Sequence, residues 1–172
     1  MEFPKKTEYY PGYQQYIDLA DRGNFFEQFD NVTNETIKFF KSISNEKLNH
    51  RYAENKWTIK DVFMHIIDTE RGFSYRTIVC MRKDSKTPLY AMDEESYAKN
   101  VNVTERSIES MVKEFQAVRE GFRILFENCT EEQASFLGNH IEYNISARAL
   151  GYISIGHTKH HINIIKKRYL NE

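Results

Sequence analysis

The sequence predicts an all-α fold: a four-helix bundle with a long crossover between the second and third helices. Three observations predict it. Four long segments carry apolar residues at helical spacing. Only seven Gly and three Pro occur in 172 residues, which leaves few turns for a strand-rich fold. Residues 84–103, interrupted by Pro88, carry no strong helical stripe, and a connection of that length can cross a bundle so that its flanking helices run parallel. The length suits one domain over residues 1–172.

Residues 1–22 form an N-terminal arm with two prolines and Tyr9, Tyr10, Tyr13 and Tyr16, expected to pack over the bundle with a short helix around 13–19. The first long helix spans about 24–42, with Phe25, Phe29, Val32, Thr36 and Phe40 on its core face. A short capped turn follows at Ser44. The second helix opens at Thr58, an N-cap with Asp61 three positions on, and ends near Lys83. Its stripe is Ile59, Val62, His65, Ile66, Thr69, Phe73, Thr77 and Cys80. The third helix is expected from Thr104 to about Cys129, on Ile108, Met111, Val112, Phe115, Phe122 and Phe126. Residues 136–145 read as a loop with room for a brief extended pair. The fourth helix runs from Ser146 to about Leu170. Leu150, Ile153, His157 and His161 share one face, and Ile155, Ile162 and Tyr169 lie roughly opposite. A helix apolar on two faces either sits deep in the bundle or meets a second subunit.

Composition narrows the function. Net charge is −1, with 24 basic and 25 acidic residues, so no basic excess exists to hold phosphates, and no nucleic-acid partner is expected. No run approaches the roughly 18 apolar residues of a membrane span, and the N-terminus lacks a signal-peptide core. Cys80 and Cys129 stand far apart and form no CxxC pair. A cytoplasmic protein with no membrane partner is expected.

The chemistry points to histidine. Three of the six histidines fall within Gly156-His157-Thr158-Lys159-His160-His161. At about 100° per residue, His157 and His161 stand one turn apart on one face and can close on one metal ion. His65 lies on the core stripe of the second helix. A lone buried histidine is more often a satisfied core residue than a ligand; an i,i+4 pair with a third on another core stripe tips the balance toward metal. Such imidazoles stay neutral, because burial and mutual repulsion disfavour their charge. Neutral imidazole binds zinc, nickel or iron(II), and three protein ligands leave a position open. His160 points about 60° from His157 and is a flanking residue. His50 and His140 fall in loops and are expected at the surface, with a cleft lining as the alternative for His140.

Asp61 and Asp68 lie one turn either side of His65, so each is a candidate to orient an imidazole or act as a general base; a solvated helix edge is the alternative. Arg76 lies three turns on along nearly the same face, with three candidate partners: Glu70, Asp68 or an anionic group of a substrate. Glu70 and Arg71 are exposed by phase. Cys80 is about 22 Å from His65 along the axis, too far to share its metal. HExxH spacing is present at His157 and His161, but Thr158 stands in place of the Glu, which excludes a zincin protease.

Three segments together resemble the DinB/YfiT-like family of bacterial four-helix bundles: Lys56-Trp57-Thr58-Ile59-Lys60-Asp61-Val62 leading to His65; Asp68-Thr69-Glu70-Arg71 followed by Tyr75-Arg76; and Gly156-His157 through His160-His161-Ile162-Asn163-Ile164. The resemblance covers nearly the whole chain after residue 20. It implies that His65, His157 and His161 bind a divalent metal. It implies thiol S-transferase or isomerase activity with a low-molecular-weight thiol as co-substrate, or hydrolase activity. It also implies a homodimer, in keeping with the second apolar face of the fourth helix. Ile162-Asn163 departs from the family's usual ending, a small residue and Gln. The expectation is a zinc- or nickel-dependent enzyme acting on a small-molecule substrate, with Asp61 or Asp68 assisting. The alternative is a metal-binding or stress-induced structural protein without catalysis, in which the 84–103 connection plugs the open metal position.

Overall fold

The computed structural model describes residues 1–140 and 143–171. Its helices are α1 (Gln14–Ile17), α2 (Phe25–Ser42), α3 (Asn45–Leu48), α4 (Ile59–Met81), α5 (Glu94–Asn100), α6 (Ile108–Glu127), α7 (Glu131–Ser135) and α8 (Ala147–Ile165). A π-helical turn, Lys166–Leu170, continues α8. The strands β1 (Leu137–His140) and β2 (Tyr143–Ser146) pair antiparallel, the extended pair expected there.

The long helices α2, α4, α6 and α8 form the bundle, and the first two pack mainly on the last two rather than on each other. Their starts follow local chemistry. Asn24 accepts from the Phe26 and Glu27 amides, and Ser146 accepts from the Ala149 amide. Thr58 and Asp61 form a reciprocal capping box. The third long helix starts later than predicted: Ser107 caps it, not Thr104, because the Ser107 hydroxyl accepts from the Ser110 amide. The connection 84–103 contains α5, whose polar sequence gives no stripe to read; Asp93 caps it through the Ser96 amide.

The apolar core divides into two clusters. One gathers Phe25, Phe29, Phe73, Phe122, Phe126, Leu150 and Tyr152. The other gathers Phe40, Phe63, Ile66, Ile67, Met111, Phe115 and Ile165. The buried polar residues Glu70, Arg119 and Ser154 form a network on α4, α6 and α8.

α8 sits deep, as one of its two predicted settings required. Ile155 is fully buried and Tyr169 nearly so, and α1 packs directly against α8. Ile155 is buried in the cluster that includes the arm, Tyr169 in the other cluster beside Tyr52, and Ile162 is half-buried near Val32 and Phe39, so most of the face that suggested a second subunit is taken up within the chain and the homodimer expectation loses that support. One glycine makes the docking possible. A Cβ on Gly156 would stand 1.8 Å from the Tyr16 carbonyl oxygen. The arm is also tied by Lys159, which donates to the Leu19 carbonyl at 3.0 Å, and by buried Arg148, which donates to Glu8 at 2.5 and 2.6 Å. Burial raises the Glu8 carboxyl, but its bonds from Arg148, Ser146 and Lys5 outweigh this and hold it below the usual carboxylate value.

Candidate metal centre

α4 and α8 bring three imidazoles together. His65 Nε2 lies 3.1 Å from His157 Nε2 and 3.2 Å from His161 Nε2, and the latter two are 3.0 Å apart. His65 and His157 are buried and His161 half-buried. Trp57 packs on the His65 ring at 5.1 Å between centroids, and Tyr16 and Phe73 pack edge-on against His157 at 5.4 and 5.8 Å.

The triangle is unsatisfied as hydrogen bonding. Each Nε2 is either a donor or a lone-pair acceptor. Three nitrogens share two states, so at least two are alike, and one edge always sets donor against donor or lone pair against lone pair. Protonation adds a donor and does not cure this. A cation that takes all three lone pairs does. Burial holds the rings neutral: it lowers His65 to about 4 and, with repulsion from His65 and His160, lowers His161 to about 3. His157 is pushed well down, by burial first and then by His161 and His65.

The spacing fits a metal. Nitrogens about 2.0–2.1 Å from a tetrahedral ion stand about 3.3–3.4 Å apart, and on one octahedral face about 2.9–3.0 Å. The observed edges fall between, so a shift of a few tenths of an ångström serves either geometry. The donor set, three neutral imidazoles, suits a divalent transition-metal ion.

The other sequence candidates lie elsewhere. Asp61 is occupied by the helix cap, accepting from the Thr58 amide at 2.8 Å, with Arg51 at 3.5 Å. Asp68 pairs with Arg71 at 3.2 Å; burial still raises its carboxyl. Neither carboxylate bonds to an imidazole; the polar group beside His65 Nδ1 is the Thr69 hydroxyl, at 3.5 Å. His160 meets Tyr16 and His161 as a ring neighbour. Two residues expected at the surface are buried. His140 stacks on Tyr143, ring centroids 3.9 Å apart. Glu70 is 1% exposed, because Arg119 and Ser154, from other helices, close on its carboxylate at 2.8 Å. Arg71 is the exposed member of that pair of neighbours.

Two recesses reach this histidine group. A recess of about 80 Å³ is lined by His157, Tyr13, Tyr16, Thr69, Phe73 and Arg76, with Ala91, Met92 and Glu94 of the connection as one wall. A more open cleft of about 210 Å³ is lined by His161, Trp57, Tyr52, Tyr169, Lys56, Arg168 and Glu95. Glu94 and Glu95 have no counterpart among the sequence candidates. They lie in a segment without periodicity, and only the folded connection places them here.

Comparison with known proteins agrees with this architecture. A protein of Oceanobacillus iheyensis, provisionally named a metal-dependent hydrolase, is 26% identical over 152 residues, covering 87% of this chain and 86% of its own. YfiT from Bacillus subtilis, described as a probable metal-dependent hydrolase with an unusual four-helix bundle topology, matches in structure with a TM-score of 0.75 at 15% identity, over 99% of this chain and 93% of its own. The mycothiol-dependent maleylpyruvate isomerase matches with a TM-score of 0.63 at 11% identity, over 81% of this chain and 58% of its own. At these identities the two structures speak for the fold. The sequence pattern that defines the DinB superfamily matches residues 28–165, which takes in all three histidines, and the chain belongs to that superfamily.

Proposed function

We propose that the chain is a metal-dependent enzyme acting on small molecules, with His65, His157 and His161 holding a zinc- or nickel-type ion. The observation that carries this is the cavity beside His157. The connection 84–103 walls that cavity instead of filling it, which is the arrangement a catalytic site needs and a purely structural metal site does not. A divalent ion held by three imidazoles supplies Lewis acidity and lowers the pKa of a water or thiol that meets it.

The chain's own residues supply the rest. Glu94 is the carboxylate in the cavity wall. Glu94 is exposed as a residue; the partial desolvation its carboxyl meets in the cavity wall, with its neighbour Glu95, raises its pKa toward the range useful for a general base. A thiol or water gives its proton to Glu94 as its sulfur or oxygen bonds to the electrophilic carbon; the bond from that carbon to its leaving group breaks, and Glu94 returns the proton to the departing atom. Tyr16 and Phe73 shield the His157 side from bulk water. Two separate recesses suit a reaction of two organic reagents, which favours thiol transfer over hydrolysis; the low-molecular-weight thiol fits the cleft at His161, where Lys56 and Arg168 offer charge.

The test is a screen of thiol cofactors with electrophilic substrates, beside simple ester and amide substrates, run with zinc, nickel or no metal. Metal-dependent turnover that falls about 10²–10⁴-fold in Glu94→Gln is expected. Turnover independent of metal, or unaffected by this substitution, contradicts the assignment of roles.

A further inference from the structure

Arg76 is a buried guanidinium that pairs with no carboxylate among the described residues. It is 7% exposed and lies on α4, on the stripe that runs from His65 through Thr69 and Phe73. Its recorded hydrogen bond goes to the Tyr90 carbonyl oxygen, at 2.6 Å. Two acids within reach by sequence are committed elsewhere: Glu70 to Arg119 and Ser154, and Asp68 to Arg71. Glu94, in the same cavity wall, forms no ion pair with it among the described residues; its charge is felt at Tyr16, and it feels that of Glu95. A buried cation costs several kcal/mol unless it is compensated. A guanidinium has five donors, and one carbonyl oxygen does not meet them.

Arg76 lines the cavity that also touches His157. Along α4 the Cα atoms of His65 and Arg76 are about 16 Å apart, and the arginine side chain is long enough to shorten that span from its end. We infer that Arg76 is the anchor for a carboxylate, or an equally planar anion, at the end of a small substrate whose reacting group lies at the histidine group. The selectivity is for an anionic substrate of limited length, because Tyr13, Tyr16 and Phe73 bound the cavity. Arg76 is suited to this as a two-pronged donor in a way a lysine is not. The inference rests on the metal-site reading above, and adds the substrate class.

The probes are matched hydroxamates, which chelate a metal at one end: the monohydroxamic acids of succinate, glutarate and adipate, each beside its terminal carboxamide. Calorimetric titration of the zinc-loaded full chain is expected to show at least one acid binding about tenfold or more tighter than its amide. In Arg76→Gln that preference disappears while zinc content is retained. In Arg76→Lys a reduced preference survives. Equal binding of every acid and amide to the wild-type chain overturns the anchor and leaves the metal reading standing. So does a preference undiminished in both variants. A chain that takes up no zinc and binds none of the hydroxamates overturns both readings together. If Arg76→Gln loses its fold, the wild-type acid-to-amide comparison and Arg76→Lys still decide.

Discussion

α4 and α8 carry two buried polar groups close to one another in sequence, and the two are built on opposite principles. In the first, Arg119 donates to Glu70 at 2.8 Å, to Ser154 and to Thr33, and lies over the Phe29 ring at 3.4 Å. Charges and donors there are matched within the chain. In the second, five residues earlier on α4 and three later on α8, three imidazole nitrogens face one another with no assignment of protons that satisfies all three edges. A closed network serves the fold. An open one suits a bound cation, and the residues beside the open one also border a cavity.

The comparison breaks most sharply at Glu70. Replacing it with Gln leaves the Arg119 charge buried and uncompensated, and a loss of about 3–5 kcal/mol is expected in urea denaturation, the same with zinc or without. Exchanging both partners together, Glu70→Leu with Arg119→Met, should recover most of it. Dependence of either loss on zinc would show that the two groups are not separate.

Zinc is the next largest effect. At about 100 times its dissociation constant it should stabilise the chain by about 2.7 kcal/mol, and His157→Ala should abolish this. His65→Leu in metal-free protein should leave stability unchanged or raise it, because it removes a conflicting edge. A large loss there would mean that the histidines satisfy one another after all.

Acid should distinguish the groups further. The folded pKa of His65 is lowered to about 4 and of His161 to about 3, below the unfolded value of 6.5. Between these limits the unfolded chain binds more protons. Stability of the metal-free protein is therefore full above pH 6.5 and falls toward pH 4, by at most about 1.4 kcal/mol per pH unit for each histidine. Replacing both His65 and His161 with Leu should reduce that slope to the part buried His157 contributes. Gly156→Ala is expected to cost about 1–3 kcal/mol, as the new methyl forces the Tyr16 backbone off α8. Chemical denaturation with tyrosine fluorescence would report both the loss and the displaced arm.

The closed network and the open one were unequally legible in the sequence. His65, His157 and His161 could be read because each falls on an apolar stripe, and a stripe fixes direction without knowledge of neighbours. Glu70 could not. It lies on α4 at a phase that reads as solvent, and its burial depends on Arg119 and Ser154 arriving from α6 and α8. The four long helices were legible for the same reason as the histidines, with the start of α6 displaced because two capping residues, Thr104 and Ser107, competed three positions apart. Glu94 and the cavity wall lie in a segment whose placement is decided by contacts such as Arg76 with Tyr90, and no local pattern encodes those. Asp61 was legible as a cap and as a candidate base, and the cap is the use that its hydrogen bonds record.

The central claim is that the three imidazoles hold a divalent ion. The most direct measurement is elemental analysis of the full chain, purified without a histidine tag or a metal column, beside its His157→Ala variant prepared in the same way. The account predicts about one zinc- or nickel-type ion per wild-type chain and a large loss in the variant. Wild-type protein with only trace metal that His157→Ala does not change would contradict it.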